Sequence, residues 1–409
     1  MGFIDRPQQV WWRRAIFQIH LWVGLLLCLY TSVIGLTGSI LVFENEIEHT
    51  AYSGLWRASH LSQASSDGKI NLSEAISTVT AAYPGYRLSV AYMPDKEGDN
   101  FEVFLSQNGH FRYVFVDATT GRLAGAINPD TSWIVWITQL HFRLLAGKTG
   151  FFINGVGAAS LLLLCITGVI VWWAGIKNWT RGLKIDLRRR WKRINYDTHC
   201  AVGFWTLLML SMWAFTAIYF VWPRPIESAV NAFSSIVSAK PPVFIVPLRH
   251  NAPGAGLNEM LKIAQQASPN AQFAGVFFPS SHQDALTLLM ARGSARNFTQ
   301  MDYVYFDPSS GRLLAIWHRG VTATWGARFI FWLSPLHFGM DWGLAIKILW
   351  AAMGLSLPLL SISGVLMYWN RFLGKICRSS MRPAKRKMEG VRSRVTVKWP
   401  NYFNLGRSE

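Results

Sequence analysis

The chain has 409 residues, of which 51% are hydrophobic and only 15% charged, with 20 tryptophans. That balance excludes an ordinary soluble domain and a disordered chain and points to a membrane protein. The net charge of +18 is gathered into short basic runs, so orientation in the membrane and contact with anionic lipid account for it and no nucleic-acid partner is expected.

In chain order, residues 1–44 hold a basic N-terminus and a first apolar run, Ile16 to Phe43, that opens with His20-Leu-Trp-Val-Gly24. The run exceeds the ~20 residues that span a hydrocarbon core; it is too long for a signal peptide and no small-residue cleavage site follows it. Residues 45–130 predict a small α+β domain. It has a helix over Ser73 to Ala82 with Ser73 as N-cap, then alternating strand residues running into the tight turn Asp117-Ala-Thr-Thr-Gly121. Residues 131–176 hold an amphipathic stretch, Trp133 to His141, and a second apolar run, Phe151 to Ala174. A basic link at 177–197 leads to a third run at 198–222, which opens with His199-Cys-Ala-Val-Gly203. Residues 223–320 predict a second α+β domain, with a helix over Leu257 to Ala267 and the turn Asp307-Pro-Ser-Ser-Gly311. Residues 321–371 repeat the amphipathic stretch, ending Pro335-Leu-His337-Phe, and the apolar run, Ala345 to Trp369. A basic tail fills 372–409.

Lysine and arginine cluster before the first run, in the 177–197 link and in the tail, while the two long segments carry no such excess. The positive-inside rule then puts both termini in the cytoplasm and the two α+β domains outside. The cysteines, Cys28, Cys165, Cys200 and Cys377, all lie away from those domains, so no disulfide staples them.

The second half restates the first. His20 and His199 are 179 residues apart, His141 and His337 are 196 apart, and the Asp-x-x-x-Gly turns are 190 apart. Ile166-Thr-Gly168-Val-Ile-Val-Trp-Trp173 likewise matches Ile362-Ser-Gly364-Val-Leu-Met-Tyr-Trp369. The fold class expected is an α-helical membrane protein of four transmembrane helices, as two parallel repeats about an axis along the membrane normal. Each repeat carries a small periplasmic α+β domain.

Histidine is costly in lipid and usually faces a bundle interior or a cofactor there. A lone histidine at a membrane edge is ordinarily an interfacial hydrogen-bonding residue; four in two repeat-related pairs point to ligation of two haem irons, His20 with His199 and His141 with His337. Gly24 and Gly203 lie one turn along from the first pair, where a porphyrin could approach the backbone. Arg143, Lys148 and Arg328 are candidates for haem propionates beside the second pair, and Arg13, Arg14, Arg190, Lys192 and Arg193 beside the first. The chain has no Cys-x-x-Cys-His, so two b-type haems are expected rather than covalent c-type ones. His49, His60, His110, His250, His282 and His318 have no repeat partner, and packing or surface roles account for them, with His318 and His49 the doubtful cases.

The helix with His-x-x-x-Gly, the external Asp-x-x-x-Gly turn, Leu-His before the next helix and Gly-Val-x-x-Trp at its end together resemble the PepSY-associated transmembrane helix family of bacterial inner-membrane proteins. The resemblance runs to about Phe372. Within the family the pattern is most similar to the ferric-siderophore reductases exemplified by the ferrioxamine reductase. It implies a dihaem reductase that takes electrons across the membrane to a periplasmic ferric siderophore, a hydroxamate such as ferrioxamine, and releases iron as Fe(II). Some relatives carry a C-terminal flavin and nicotinamide domain; a short basic tail stands there instead, so a separate electron donor is expected. A dihaem quinone-linked oxidoreductase with another acceptor, a siderophore transporter and a regulatory PepSY protein without a cofactor are the alternatives.

Overall fold

The computed structural model describes residues 7, 10–58, 70–242, 256–281, 284–293, 299–339 and 342–373. The basic tail beyond Leu373, and with it Cys377, lies outside the described residues, as do Arg6, His60, His250 and His282. Among the described residues the α-helices are α1 (Trp11–Leu41), α2 (Glu44–Ala51), α3 (Ser53–Trp56), α4 (Leu72–Ala82), α5 (Trp133–Arg143), α6 (Gly147–Trp172), α7 (Trp191–Val221), α8 (Pro223–Phe233), α9 (Leu257–Ala267), α10 (Trp325–Phe338), α11 (Gly343–Gly354) and α12 (Ser356–Tyr368).

Among the described residues, four helical segments are long and apolar enough to cross a membrane: Trp11–Leu41, Gly147–Trp172, Trp191–Val221 and Gly343–Phe372. Leu26 and Leu208 stand 82% and 84% exposed on α1 and α7, which water would penalise and lipid tails would not. The third span begins at Trp191, ahead of the apolar run, because its polar first turns are helical too. There Arg193 and Asp197 face each other one turn apart at 2.9 Å. The fourth span is divided at Leu355 into α11 and α12. Pro358 has no N–H to offer the Gly354 carbonyl, which loosens the ladder at that point.

The strands among the described residues are β1 (Arg87–Tyr92), β2 (Phe101–Gln107), β3 (His110–Val116), β4 (Leu123–Ile127), β5 (Gln272–Phe277), β6 (Leu286–Ala291), β7 (Met301–Phe306) and β8 (Leu313–His318). They form one sheet in the order β4-β3-β2-β1-β5-β6-β7-β8, with every neighbour antiparallel. The two strand groups expected as separate small domains therefore share a continuous sheet, joined where β1 pairs with β5 at Val90–Phe277, Ala91–Val276 and Tyr92–Gly275. An unpaired edge strand in each group is a ready template for pairing, and each edge covers the other. The irregularities match across the join: one falls between Leu88 and Val90 and another between Phe273 and Gly275, at equivalent places in β1 and β5.

One face of the sheet carries α4 and α9 over a core that includes Val79, Val103, Val114, Met260, Leu288 and Phe306. The N-cap of α4 is Asn71 rather than Ser73. Its side chain accepts from the Glu74 N–H while the Glu74 carboxylate accepts from the Asn71 N–H, a reciprocal capping box. Each Asp-x-x-x-Gly turn is built alike. Asp117 accepts from the N–H groups of Thr119 and Thr120, Asp307 from those of Ser309 and Ser310, and the closing Gly121 and Gly311 sit at φ +70° and +66°, where a side chain would be strained.

The chain divides into two compact units. One comprises residues 1–29, 167–205 and 358–409, the other residues 30–166 and 206–357. One histidine pair falls in each.

Candidate functional site

In the first unit, His20 of α1 and His199 of α7 face each other with ring centres 6.5 Å apart and planes at 89°. An imidazole nitrogen sits about 2.0 Å from a first-row metal ion and roughly 1.2 Å ahead of its ring centre, so two rings sharing one metal lie roughly 6.4 Å apart. The observed separation fits that arrangement; edge-to-face rings in van der Waals contact fall in the same range. Each ring is pinned on one nitrogen. His20 Nδ1 lies 3.0 Å from Thr167 Oγ1 and His199 Nδ1 lies 2.9 Å from Ser363 Oγ, and Thr167 and Ser363 are themselves 196 residues apart. Asn195 donates to the Ser363 carbonyl at 2.9 Å, tying the start of α7 to the same turn of α12.

The second unit repeats this chemistry with the roles of the helices exchanged. Here the histidines come from the short helices α5 and α10 and the hydroxyls from the long ones. His141 Nδ1 lies 2.9 Å from Thr37 Oγ1 of α1, and His337 Nδ1 lies 2.6 Å from Thr216 Oγ1 of α7. Thr37 and Thr216 are 179 residues apart, like His20 and His199. Thr37 follows His20 by 17 positions in α1, and Thr216 follows His199 by 17 positions in α7. Phe142 and Phe338, which follow the two histidines, approach within 6.1 Å, and Phe220 packs on both His337 and Phe338. Burial holds His141 down to about 4 and His337 down to about 3, and the closeness of the two rings further disfavours a charge on His337. Both rings are therefore neutral at physiological pH and keep a lone pair to give.

The C-terminal ends of α5 and α10 leave carbonyls without intrahelical donors. Asn154 donates to the carbonyls of His141 at 2.8 Å and Phe142 at 3.2 Å, and Tyr30 in turn donates to Asn154 Oδ1 at 2.6 Å. At the other end, Trp213 donates to the His337 carbonyl at 3.1 Å and Trp350 to that of Leu336 at 3.0 Å. These contacts fix where each histidine backbone sits.

All four hydroxyl residues are buried: Thr37, Thr167, Thr216 and Ser363. Three precede a glycine on which the imidazole rests. A Cβ at Gly38 would stand 2.9 Å from His141 Cε1, one at Gly168 3.3 Å from His20 Cε1, and one at Gly364 3.5 Å from His199 Cε1. The fourth position is Thr216-Ala217. Reading the sequence alone misses these hydroxyls, although their offsets of 179 and 196 are those of the histidines themselves.

Among the described residues no group of three or more His, Cys, Asp or Glu comes together for a metal ion. Two imidazoles leave a bare ion under-coordinated; they suit a metal whose remaining positions are filled by a macrocycle. Gly203 faces Leu360, where a Cβ on the glycine would stand 3.6 Å from Leu360 Cδ2, and Gly24 is half-buried one turn from His20. Arg143 and Arg328 are both exposed, and helical spacing turns them about 180–200° from His141 and His337. Lys148 is exposed as well. Of the basic residues near the first pair, Arg13 donates to the carbonyls of Val171 and Trp173 at 2.6 and 3.3 Å, and Arg193 pairs with Asp197. Of the described histidines without a repeat counterpart, His49 stacks on Trp56 at 3.8 Å, and His110 meets Asp130 and His318 meets Asp302, each at 2.9 Å.

The chain is 28% identical over 269 residues to an uncharacterized protein of Pseudomonas aeruginosa, an alignment that takes in 58% of this chain and 63% of that protein. It thus spans less than two thirds of that relative's length. A match to the PepSY-associated TM region runs over residues 17–371 and so takes in the sheet, the second and third helical spans and most of the first and fourth. The chain belongs to the PepSY-associated TM region family, and it is a membrane protein.

Proposed function

We propose that the chain is a dihaem reductase of the bacterial inner membrane, built as two parallel repeats with both termini cytoplasmic and the sheet domain periplasmic. In this reading it passes electrons to a ferric siderophore, of which a hydroxamate is the type most in keeping with the resemblance. The observation that carries the reading is the double pairing of histidines. Each imidazole has Nδ1 held by a buried hydroxyl from another helix, so Nε2 would be the ligand atom. His20 and His199 would hold one haem, and His141 and His337 the other.

Two b-type haems, when bound, would supply one-electron chemistry, with potentials that would follow from the histidines holding them and from burial. The residues of the chain hold the rings in place and wall the second pair with Phe142, Phe220 and Phe338. The ferric ion of the substrate takes one electron and becomes ferrous, a poorer match for hard oxygen donors, so the chelate weakens and iron leaves it. The basic runs before α1 and in the 177–197 link support the orientation.

The test is anaerobic. Purified protein is reduced with dithionite, freed of excess reductant and mixed with a ferric hydroxamate and a coloured ferrous chelator. Reoxidation of the haem bands with matching colour is the expected result. Reoxidation by a quinone, and by no ferric chelate tried, would replace the acceptor with a quinone.

A further inference from the structure

Each histidine contacts a hydroxyl, and the direction of those hydrogen bonds can be read from where the hydroxyl proton goes. A hydroxyl has one proton to donate and two lone pairs. Thr37 Oγ1 donates back to the Val33 carbonyl at 2.7 Å, with the Ile34 carbonyl at 3.2 Å. Thr216 Oγ1 does the same toward Met212 at 2.9 Å and Trp213 at 3.1 Å, and Ser363 Oγ toward Leu360 at 3.0 Å. With that proton committed, the hydroxyl meets the imidazole as an acceptor. The hydrogen between them then belongs to Nδ1.

We infer that Thr37, Thr216 and Ser363, with Thr167 in the matching place, are positioning residues that lock the four histidines in the Nδ1–H tautomer and so aim a lone pair on Nε2 at the metal. The inference rests on the reading of these histidines as haem ligands. Which ring nitrogen binds a metal is set by the hydrogen bond the other one makes, and a donor bond from that nitrogen raises ligand basicity. The glycine seats complete the device. The Nδ1–Cε1 edge of His141, His20 and His199 lies against Gly38, Gly168 and Gly364, so hydroxyl and glycine together set both the rotation and the depth of the ring.

The test uses the full-length protein with Thr37→Val, which keeps the shape and removes the acceptor, and Thr37→Ser, which restores it. In the valine variant the haem held by His141 and His337 is expected to bind 10–100-fold more weakly. Its midpoint potential should rise, by 59 mV for each tenfold by which ferric binding suffers more than ferrous, while the other haem is unchanged. The serine variant should return both values toward wild type. An unchanged potential and occupancy in Thr37→Val would overturn the inference, as would a serine variant no better than valine, which would mean packing alone matters. A readout independent of haem is the nitrogen NMR spectrum of histidine-labelled protein prepared without it. Wild type should show Nδ1 protonated and Nε2 bare, and the reverse tautomer would overturn the assignment. A chain that never binds haem yet shows the Nδ1–H pattern would sink the proposed function and leave the tautomer assignment standing.

Discussion

Replacing Gly38 by alanine tests the histidine seat with a single methyl group. The new Cβ would stand 2.9 Å from His141 Cε1, whereas an ordinary contact of two carbons is about 3.5–4.0 Å, so the ring has to retreat by roughly 0.6–1 Å. Functional constellations tolerate about 0.5 Å of displacement, and overpacking of a close-packed site costs about 1–3 kcal/mol. His141 has little room to give, because Asn154 holds its carbonyl and Thr37 its Nδ1. Gly364→Ala is the matched control, since its Cβ would meet His199 Cε1 at 3.5 Å, and Gly168→Ala at 3.3 Å falls between. The assay is haem per chain together with the separate midpoint potentials of the two haems. Gly38→Ala should lose or shift the haem of its own pair, Gly168→Ala should disturb the other pair mildly, and Gly364→Ala should be near wild type. Equal behaviour of Gly38→Ala and Gly364→Ala, or the reverse order, would refute the reasoning.

Further outcomes follow from the same contacts. Asn154→Ala leaves the His141 and Phe142 carbonyls at the end of α5 without their side-chain donor, at about 1–3 kcal/mol for each buried group, while the Tyr30 hydroxyl keeps the Asn154 backbone carbonyl; it should lower the melting temperature in detergent. His20→Ala and His199→Ala should each remove the same haem, and His141→Ala and His337→Ala the other; a loss that pairs His20 with His141 would contradict the assignment. Asp302→Ala removes the carboxylate that lies 3.1 Å from the partly buried Arg292 and leaves Arg292 the Arg319 carbonyl; it should destabilise the sheet by up to about 3 kcal/mol, measurable by denaturant unfolding. Burial alone would raise the Asp307 carboxyl, but the hydroxyls and N–H groups of Ser309 and Ser310 outweigh it and hold the group well below its usual 3.8. Its stabilising contribution is therefore complete above pH 3.8 and lost as pH falls toward the lower folded-state value, and Asp307→Asn should flatten that acid limb of the stability profile.

The histidine pairs were legible because duplication shows each of them twice, at offsets no packing rule demands. The same offsets carried Thr37 with Thr216 and Thr167 with Ser363. A serine or threonine in an apolar helix ordinarily bonds its own i−4 carbonyl, and nothing in the sequence says that its remaining lone pair meets a histidine from another helix. The joining of β1 to β5 left no mark either. Backbone edges pair without regard to side-chain identity, and Arg87–Tyr92 and Gln272–Phe277 read equally well as outer strands. The helical start at Trp191 was hidden because hydropathy reports what lipid accepts, while Arg193 and Asp197 extend a helix by pairing along it. The N-cap of α4 was misplaced by two residues for a similar reason: Asn71 and Ser73 are both good caps, and the Glu74 side chain chooses between them by reaching back to Asn71.

The most direct measurement is the haem content and absorption spectrum of the purified full-length protein, oxidised and then dithionite-reduced. The account predicts two b-type haems per chain with low-spin spectra, as bis-histidine ligation requires, and a fall to one in His199→Ala. A protein purified from haem-replete cells with no haem, or one that keeps both haems when His20, His141, His199 and His337 are replaced one at a time, would contradict it.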